Sequence, residues 1–244
     1  MDEWRRMVLH HLNEFLGYGD LWNANYFFFG SEEGSDPGKK FPQIFKELLH
    51  PILTCARFEF GSGINGNPTY KGEAQIAFKL QNGCHQRLTK EYEDSFGKEG
   101  SGVFSSNVYP WGARNDEAWD EVSAQITGYR SKTTYWKDSW DATGDIGRLL
   151  VPPRKVIIED FVRFILGKQN AWIFVMGDPA EKKLGPLLRD KFQLKWYEHP
   201  WPDQAVKDHF WLPDENFHIC FIYHPSHGNF TEEHATKLCQ TIRG

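Results

Sequence analysis

The chain has 244 residues, 40% hydrophobic and 25% charged, a balance that excludes a disordered or fibrous protein and leaves room for one large α/β domain. Its 28 Lys and Arg against 33 Asp and Glu give a net charge of −5, which excludes a protein that coats nucleic acid through its overall charge but not one with a small basic footprint. No apolar run approaches the ~20 residues a bilayer span needs, and the opening MDEWRRMVLHHLNEFL is charged and helical rather than signal-like. A cytoplasmic monomer with no membrane partner is expected.

In chain order, Trp4, Met7, Val8, Leu12 and Phe15 recur at helical spacing over residues 2–16, and Gly17 and Gly19 stop that helix. Residues 25–29, NYFFF, are the continuous apolar run of a strand buried on both faces, ending at Gly30. A Gly/Ser/Asp/Pro loop leads to FPQIFKELLHPIL at 41–53, a helix interrupted near Pro51. Residues 58–104 read as an insertion of Gly-rich turns around one strand-like stretch, EAQIAFKL at 73–80.

VFSSNVYPWG at 103–112 predicts a strand that ends at a polar Asn before Pro110, and residues 113–147 predict a second insertion, a long loop carrying one helix. PPRKVIIEDFVRFILG brings Val156, Ile157, Phe161, Phe164 and Ile165 to helical spacing, closed by Gly167. AWIFVMGDPA at 171–180 is a third buried strand, followed by a helix through EKKLGPLLRD. HICFIYHPS at 218–226 is a fourth, stopping at His224-Pro225 before the helix TEEHATKLCQTI. Buried strands alternating with helices imply a single three-layer α/β/α domain, residues 1–244, around a central four-stranded, mainly parallel sheet.

Cys55, Cys84, Cys220 and Cys239 lie far apart with no Cys-x-x-Cys pair, which argues against a zinc or iron–sulfur site and predicts reduced, structural thiols. No metal and no cofactor are expected. Aromatic residues make up 16% of the chain, ten of them tryptophans, more than one core usually needs; a bulky core and a set of stacking surfaces explain the surplus equally well.

Functional groups in parallel sheets gather beyond the carboxyl ends of the strands. Each predicted strand here ends in chemically functional groups, among them a carboxylate, an amide and an imidazole: Gly30-Ser31-Glu32-Glu33-Gly34, Ser106-Asn107, Gly177-Asp178-Pro179 and His224-Pro225-Ser226. Singly, paired glutamates are most often a solvated turn, and a lone Asn or His is most often structural. Their ordered recurrence at strand ends is the signal.

That ordered set resembles the uracil-DNA glycosylase superfamily, in which the first strand leads into a Gly-x-Asp/Asn/Ala-Pro-Tyr/Gly loop, a later strand ends in a base-reading Asn and the last ends in His-Pro-Ser. The matching stretches are FFFGSEEG, FSSNVYP and FIYHPSHG, with WIFVMGDPA similar to the family's intervening strand, and together they span Tyr26 to Phe230. The resemblance implies a monofunctional, metal-free glycosylase that flips a base out of DNA and hydrolyses its N-glycosidic bond. No lysine stands where a Schiff-base lyase step needs one.

By resemblance, Glu32 or Glu33 handles the water and faces the cationic sugar, and His224 donates to the departing base. Asn107 reads the base, Gly30, Ser31 and Gly34 line it, and Phe41 or Phe45 stacks on it. Ser226 belongs to the DNA-binding edge, and His227, Asn229 or Phe230, with Phe230 preferred, fills the gap in the duplex. Lys39 and Lys40, with Lys182, Lys183, Arg130 and Lys132, are placed to touch phosphate.

The chain departs from the family where Glu32-Glu33 replace Asp/Asn/Ala-Pro and where Gly34 replaces the tyrosine that excludes a thymine methyl. With that filter gone and two insertions rich in Trp and Tyr, the expected substrate is a bulky modified cytosine of viral DNA, removed in defence. Uracil removal in base-excision repair and an inactive DNA-binding relative are the alternatives.

Overall fold

The structure of the chain is a computed structural model that describes residues 3–32, 56–57, 68–109, 124, 127–147, 152–191, 206–212, 217–225 and 231–243. Its elements run α1 (Glu3–Glu14), β1 (Gly17–Gly19), β2 (Tyr26–Glu32), β3 (Ala56–Arg57), α2 (Pro68–Asn82), α3 (Lys90–Ser95) and β4 (Val103–Tyr109). They continue with α4 (Lys132–Asp141), α5 (Gly144–Gly147), α6 (Arg154–Leu166), β5 (Trp172–Met176), α7 (Asp178–Pro186), a π-helical turn (Leu187–Lys191), β6 (Val206–Leu212), β7 (Phe217–Ile222) and α8 (Glu232–Arg243).

The protein is α/β, and its described strands form one mixed sheet in the order β3-β1-β4-β2-β5-β7-β6. The four strands read from the sequence are the contiguous centre of that sheet. Parallel registers align Phe28 with Phe174 and Phe174 with Cys220, so β2, β5 and β7 end along one edge. The Asn25 and Tyr26 N–H groups both donate to the Gly102 carbonyl, setting the starts of β2 and β4 side by side.

The expected four-stranded sheet is corrected to seven strands among the described residues, because β1 and β3 are too short, and β6 too interrupted by Lys207, Asp208 and His209, to read as continuous apolar runs. β1 is only GYG, antiparallel to β4; a side chain at Gly17 or Gly19 would run into the carbonyl of Ser105 or Val103, and both glycines have positive φ. β3 is two residues long. β6, VKDHFWL, pairs antiparallel with β7 through an irregularity between Val206 and Asp208 that breaks its alternation.

The chain divides into two compact units: Met1–Leu16, Glu32–Cys55 and Asn107–Phe164 form one, and Gly17–Ser31, Ala56–Ser106 and Ile165–Gly244 the other. In the second unit the even-numbered residues Phe28, Phe174, Met176, Cys220 and Ile222 pack with Ala77 and Leu80 of α2 and Ala235 and Leu238 of α8. On the opposite face the Arg189 guanidinium of the π turn lies 4.7 Å over the Phe221 ring. Helices thus cover both faces of this part of the sheet, an arrangement that fits a three-layer α/β/α architecture. The wide turn begins directly after Pro186, which cannot supply an N–H to the helix. Toward the amino ends of the strands, Trp172 and its register partner His218 stack with ring centroids 3.5 Å apart and planes 3° from parallel.

Two expectations fail in this unit. The stretch EAQIAFKL is not a strand: it lies in the helix α2, and Ala74, Ile76, Ala77 and Leu80 belong to the core. The helical period is concealed because Glu73 and Lys79, both charged types, are also buried on that helix. Lys79 Nζ is satisfied by the carbonyls of Cys84 and Gln86 at 3.2 and 2.9 Å and by Glu232 at 3.4 Å. Nor are all the thiols reduced, since Cys84 and Cys239 form a disulfide across 155 positions; among the described residues Cys220 is free and buried, and Cys55 lies outside them. Wide spacing does not reveal such a pair, because only the packing of α8 against α2 brings the two cysteines together.

In the first unit, residues 124 and 127 are helical and α4 and α5 follow them, where the sequence predicts a loop with one helix. Tyr109 stacks on Trp136 with centroids 4.5 Å apart and meets Trp140 edge-on at 6.1 Å. Asp138 gathers the turn after α4, accepting hydrogen bonds from the Tyr129 and Thr143 hydroxyls, each at 2.8 Å. Burial, reinforced by that carboxylate, pushes the Tyr129 phenol up to about 12.

Candidate functional site

Among the described residues, Glu32, Asn107, Gly177 and His224 lie at or near the ends of β2, β4, β5 and β7. β2 does not stop at Gly30 as the sequence predicts: Gly30, Ser31 and Glu32 continue the strand, and Gly30 is buried within it rather than turning the chain. Apolar patterning stops at Phe29, but the backbone pairing does not, so a strand defined by hydrophobicity is cut short. β4 likewise runs past Asn107 to Tyr109, with Asn107 half-buried near its end.

His224 follows β7 by two residues, half-buried, and Pro225 beside it is buried. At the same edge the Gly177 N–H donates to the Ile222 carbonyl at 2.9 Å, tying the end of β5 to the end of β7. Gly177 has φ +80°, and a Cβ there would stand 3.2 Å from His224 Cβ. Any other residue would be strained in its own backbone and pressed against the imidazole-bearing side chain. Gly177 is also the residue from which α7 starts, with Pro179 in its first turn and Asp178 and Glu181 complementing its amino end. Of the predicted groups, His224 and the Gly-Asp-Pro segment are therefore brought together. Lys182, exposed, and Lys183, half-buried, lie on α7, and Arg130 is exposed before α4.

Sequence reading passed over Arg154, the first residue of α6 and fully buried. Its Nε donates to the Val108 carbonyl at 3.0 Å and its Nη2 to that of Asn107 at 2.8 Å, while Nη1 donates to Asn13 and Phe15 at 2.6 and 2.8 Å. Burial pulls the guanidinium down to about 9, and four carbonyls aimed at it favour the charged form. The available signal was a base opening an apolar helix, where the helix dipole disfavours a cation.

Glu73 was also missed. It is fully buried, Ser105 Oγ donates to its Oε1 at 3.1 Å and its Oε2 has no partner among the described residues. Burial pushes this carboxyl up to about 8, against the lowering effect of the serine. Nothing in the sequence around it marks it out.

Glu33, Gly34, Lys39, Lys40, Phe41, Phe45, Ser226, His227, Asn229 and Phe230 lie outside the described residues. Among the described residues no group of three or more His, Cys, Asp or Glu side chains is arranged to hold a metal ion. No helix among them is long and apolar enough to cross a membrane. No protein-family model matches this chain, and no curated protein matches it.

Proposed function

We infer that the protein is a monofunctional DNA glycosylase of the uracil-DNA glycosylase type, cutting the N-glycosidic bond of a non-standard pyrimidine. The observation that carries this reading is the close approach of Gly177 and His224 at the edge where β5 and β7 end. It presents an imidazole where parallel sheets collect their ligands. Support also comes from the order of the motifs along the chain, FFFGSEEG, FSSNVYP, WIFVMGDPA and FIYHPSHG.

Breaking the bond leaves a cationic, oxocarbenium-like sugar and a base that departs with negative charge. In this reading a carboxylate of the Glu32-Glu33 pair faces the sugar and orients water. His224 donates a hydrogen bond to the base oxygen as charge builds there, and the Asn107 amide, with one acceptor and two donors, reads the flipped base. Gly34, in place of a tyrosine, admits a base larger than uracil, so the preferred substrate is a bulky modified cytosine and the role is defence against viral DNA. The protein acts on DNA as a cytoplasmic monomer.

A panel of duplex and single-stranded oligonucleotides and phage DNAs carrying different bases tests this, scored for alkali-labile abasic sites and for the released base by mass spectrometry. The expected result is release of a bulky cytosine by the wild-type protein, reduced roughly 100-fold or more by His224→Ala. Glu32→Ala and Glu33→Ala identify the carboxylate that handles water. No abasic sites on any substrate would overturn the enzyme reading, and release of uracil alone would overturn the larger base.

A further inference from the structure

We propose that Arg154 is a positioning residue for Asn107, fixing the backbone from which the base-reading amide projects; the inference rests on the glycosylase reading above. The ladder between β1 and β4 pairs Gly17 with Ser106 and goes no further. Beyond that point the carbonyls of Asn107 and Val108 accept from one guanidinium, through Nη2 and Nε. A regular strand turns successive carbonyls to opposite sides, so a fork that gathers two neighbours sets a local backbone geometry that a strand partner would not.

The other arm of the fork explains how a cation is tolerated there. Nη1 takes the carbonyls of Asn13 and Phe15 at the end of α1, where the last turn leaves acceptors unpaired and the helix dipole is negative. Asn13 adds a second tie, its Nδ2 donating to the Pro152 carbonyl at 2.9 Å, two residues before Arg154. The end of α1, the start of α6 and the carboxyl end of β4 are thus joined through one planar group. Lysine, a point charge with no fork, cannot hold the same four acceptors in these directions.

The test is a double-mutant cycle between Arg154→Lys and Asn107→Ala. It is read as kcat/KM for the excised base against cytosine, and in parallel as Kd for duplexes bearing each base by fluorescence anisotropy, with thermal unfolding as the stability control. Arg154→Lys is expected to lower kcat/KM for the preferred base by roughly 100-fold and to narrow discrimination against cytosine. In the Asn107→Ala background that kinetic loss disappears while the loss of thermal stability persists, a split that a merely structural role does not produce. Asn13→Ala, which removes one hydrogen bond, provides a milder variant and should give a few-fold loss that also vanishes without Asn107.

Equal kinetic losses in both backgrounds, or unchanged discrimination in folded Arg154→Lys and Asn13→Ala, overturn the proposal. Absence of turnover in the wild-type protein overturns the excision reading alone, because base-dependent Kd still reports the coupling. Absence of both turnover and base-dependent binding overturns the two together.

Discussion

Both compact units bury charge, Lys79 and Glu73 in one and Arg154 in the other, but they differ in what else ties them together. In the unit that carries most of the sheet, apolar faces of β2, β5 and β7 are sealed by α2 and α8 and then cross-linked by Cys84–Cys239. In the unit that contains Asn107 and Arg154, cohesion runs through polar clamps, one guanidinium on four carbonyls and one carboxylate on two hydroxyls, beside stacked aromatic rings. Apolar packing is non-directional, whereas a hydrogen-bonded fork fixes direction. In the proposed reading, a region that must aim the Asn107 amide gains from the second kind of construction.

The most direct way to break the contrast is to remove the covalent tie. Reduction, or Cys84→Ser with Cys239→Ser, releases a loop closed across 155 positions and should lower stability by up to about 5 kcal/mol, read from urea unfolding with and without reductant. Next, Arg154→Ala leaves four carbonyls without their donor and should cost roughly 3–5 kcal/mol, seen as a fall in the urea midpoint. If the reduced protein loses less than the Arg154 variant, the ranking of covalent over polar cohesion is reversed.

A smaller and pH-dependent effect comes from Glu73. Its carboxyl is raised from 4.5 to about 8 in the folded protein, so between those values the unfolded chain has released a proton that the folded chain retains. Stability therefore falls as pH rises through that window and levels off above it. Glu73→Gln, which cannot ionise, should flatten the slope by up to about 1.4 kcal/mol per pH unit, measured as Tm from pH 5 to pH 8.5. An unchanged slope would show that Glu73 ionises in the folded state as it does in the unfolded chain. The least costly change is Gly177→Ala, expected to lower stability by about 1–2 kcal/mol through its positive φ. Its crowding of His224 should reduce base excision more than that loss of stability accounts for.

Elements whose residues are apolar in a single rhythm were legible in the sequence. The strands led by Phe27–Phe29 and Ile173–Met176 and the helices opening at Glu3, Arg154 and Glu232 lie where their patterning puts them. What patterning concealed has two causes, polar groups placed inside and strands made by backbone approach without an apolar run. Glu73 and Lys79 disguised α2, and Gly17–Gly19 formed a strand through backbone contacts alone. In the candidate site, His224 was readable because its motif is local. Arg154 was not, because its four acceptors come from segments more than 40 positions away in sequence, a relation only the fold creates. The Gly177 approach to His224 joins two motifs that lie far apart in the sequence.

The face-to-face contact of Trp172 with His218 gives the sheet an optical gauge of its own. An imidazole resting on an indole alters the surroundings to which its emission responds, and that influence ends when the two rings separate. Because these residues are register partners on adjacent strands, light from Trp172 reports the pairing of β5 with β7, the same two strands that carry Gly177 and His224 at their other ends. The difference in emission between the wild-type protein and Trp172→Phe isolates that signal from the other tryptophans. Loosening of this strand pair under denaturant can then be followed without a label.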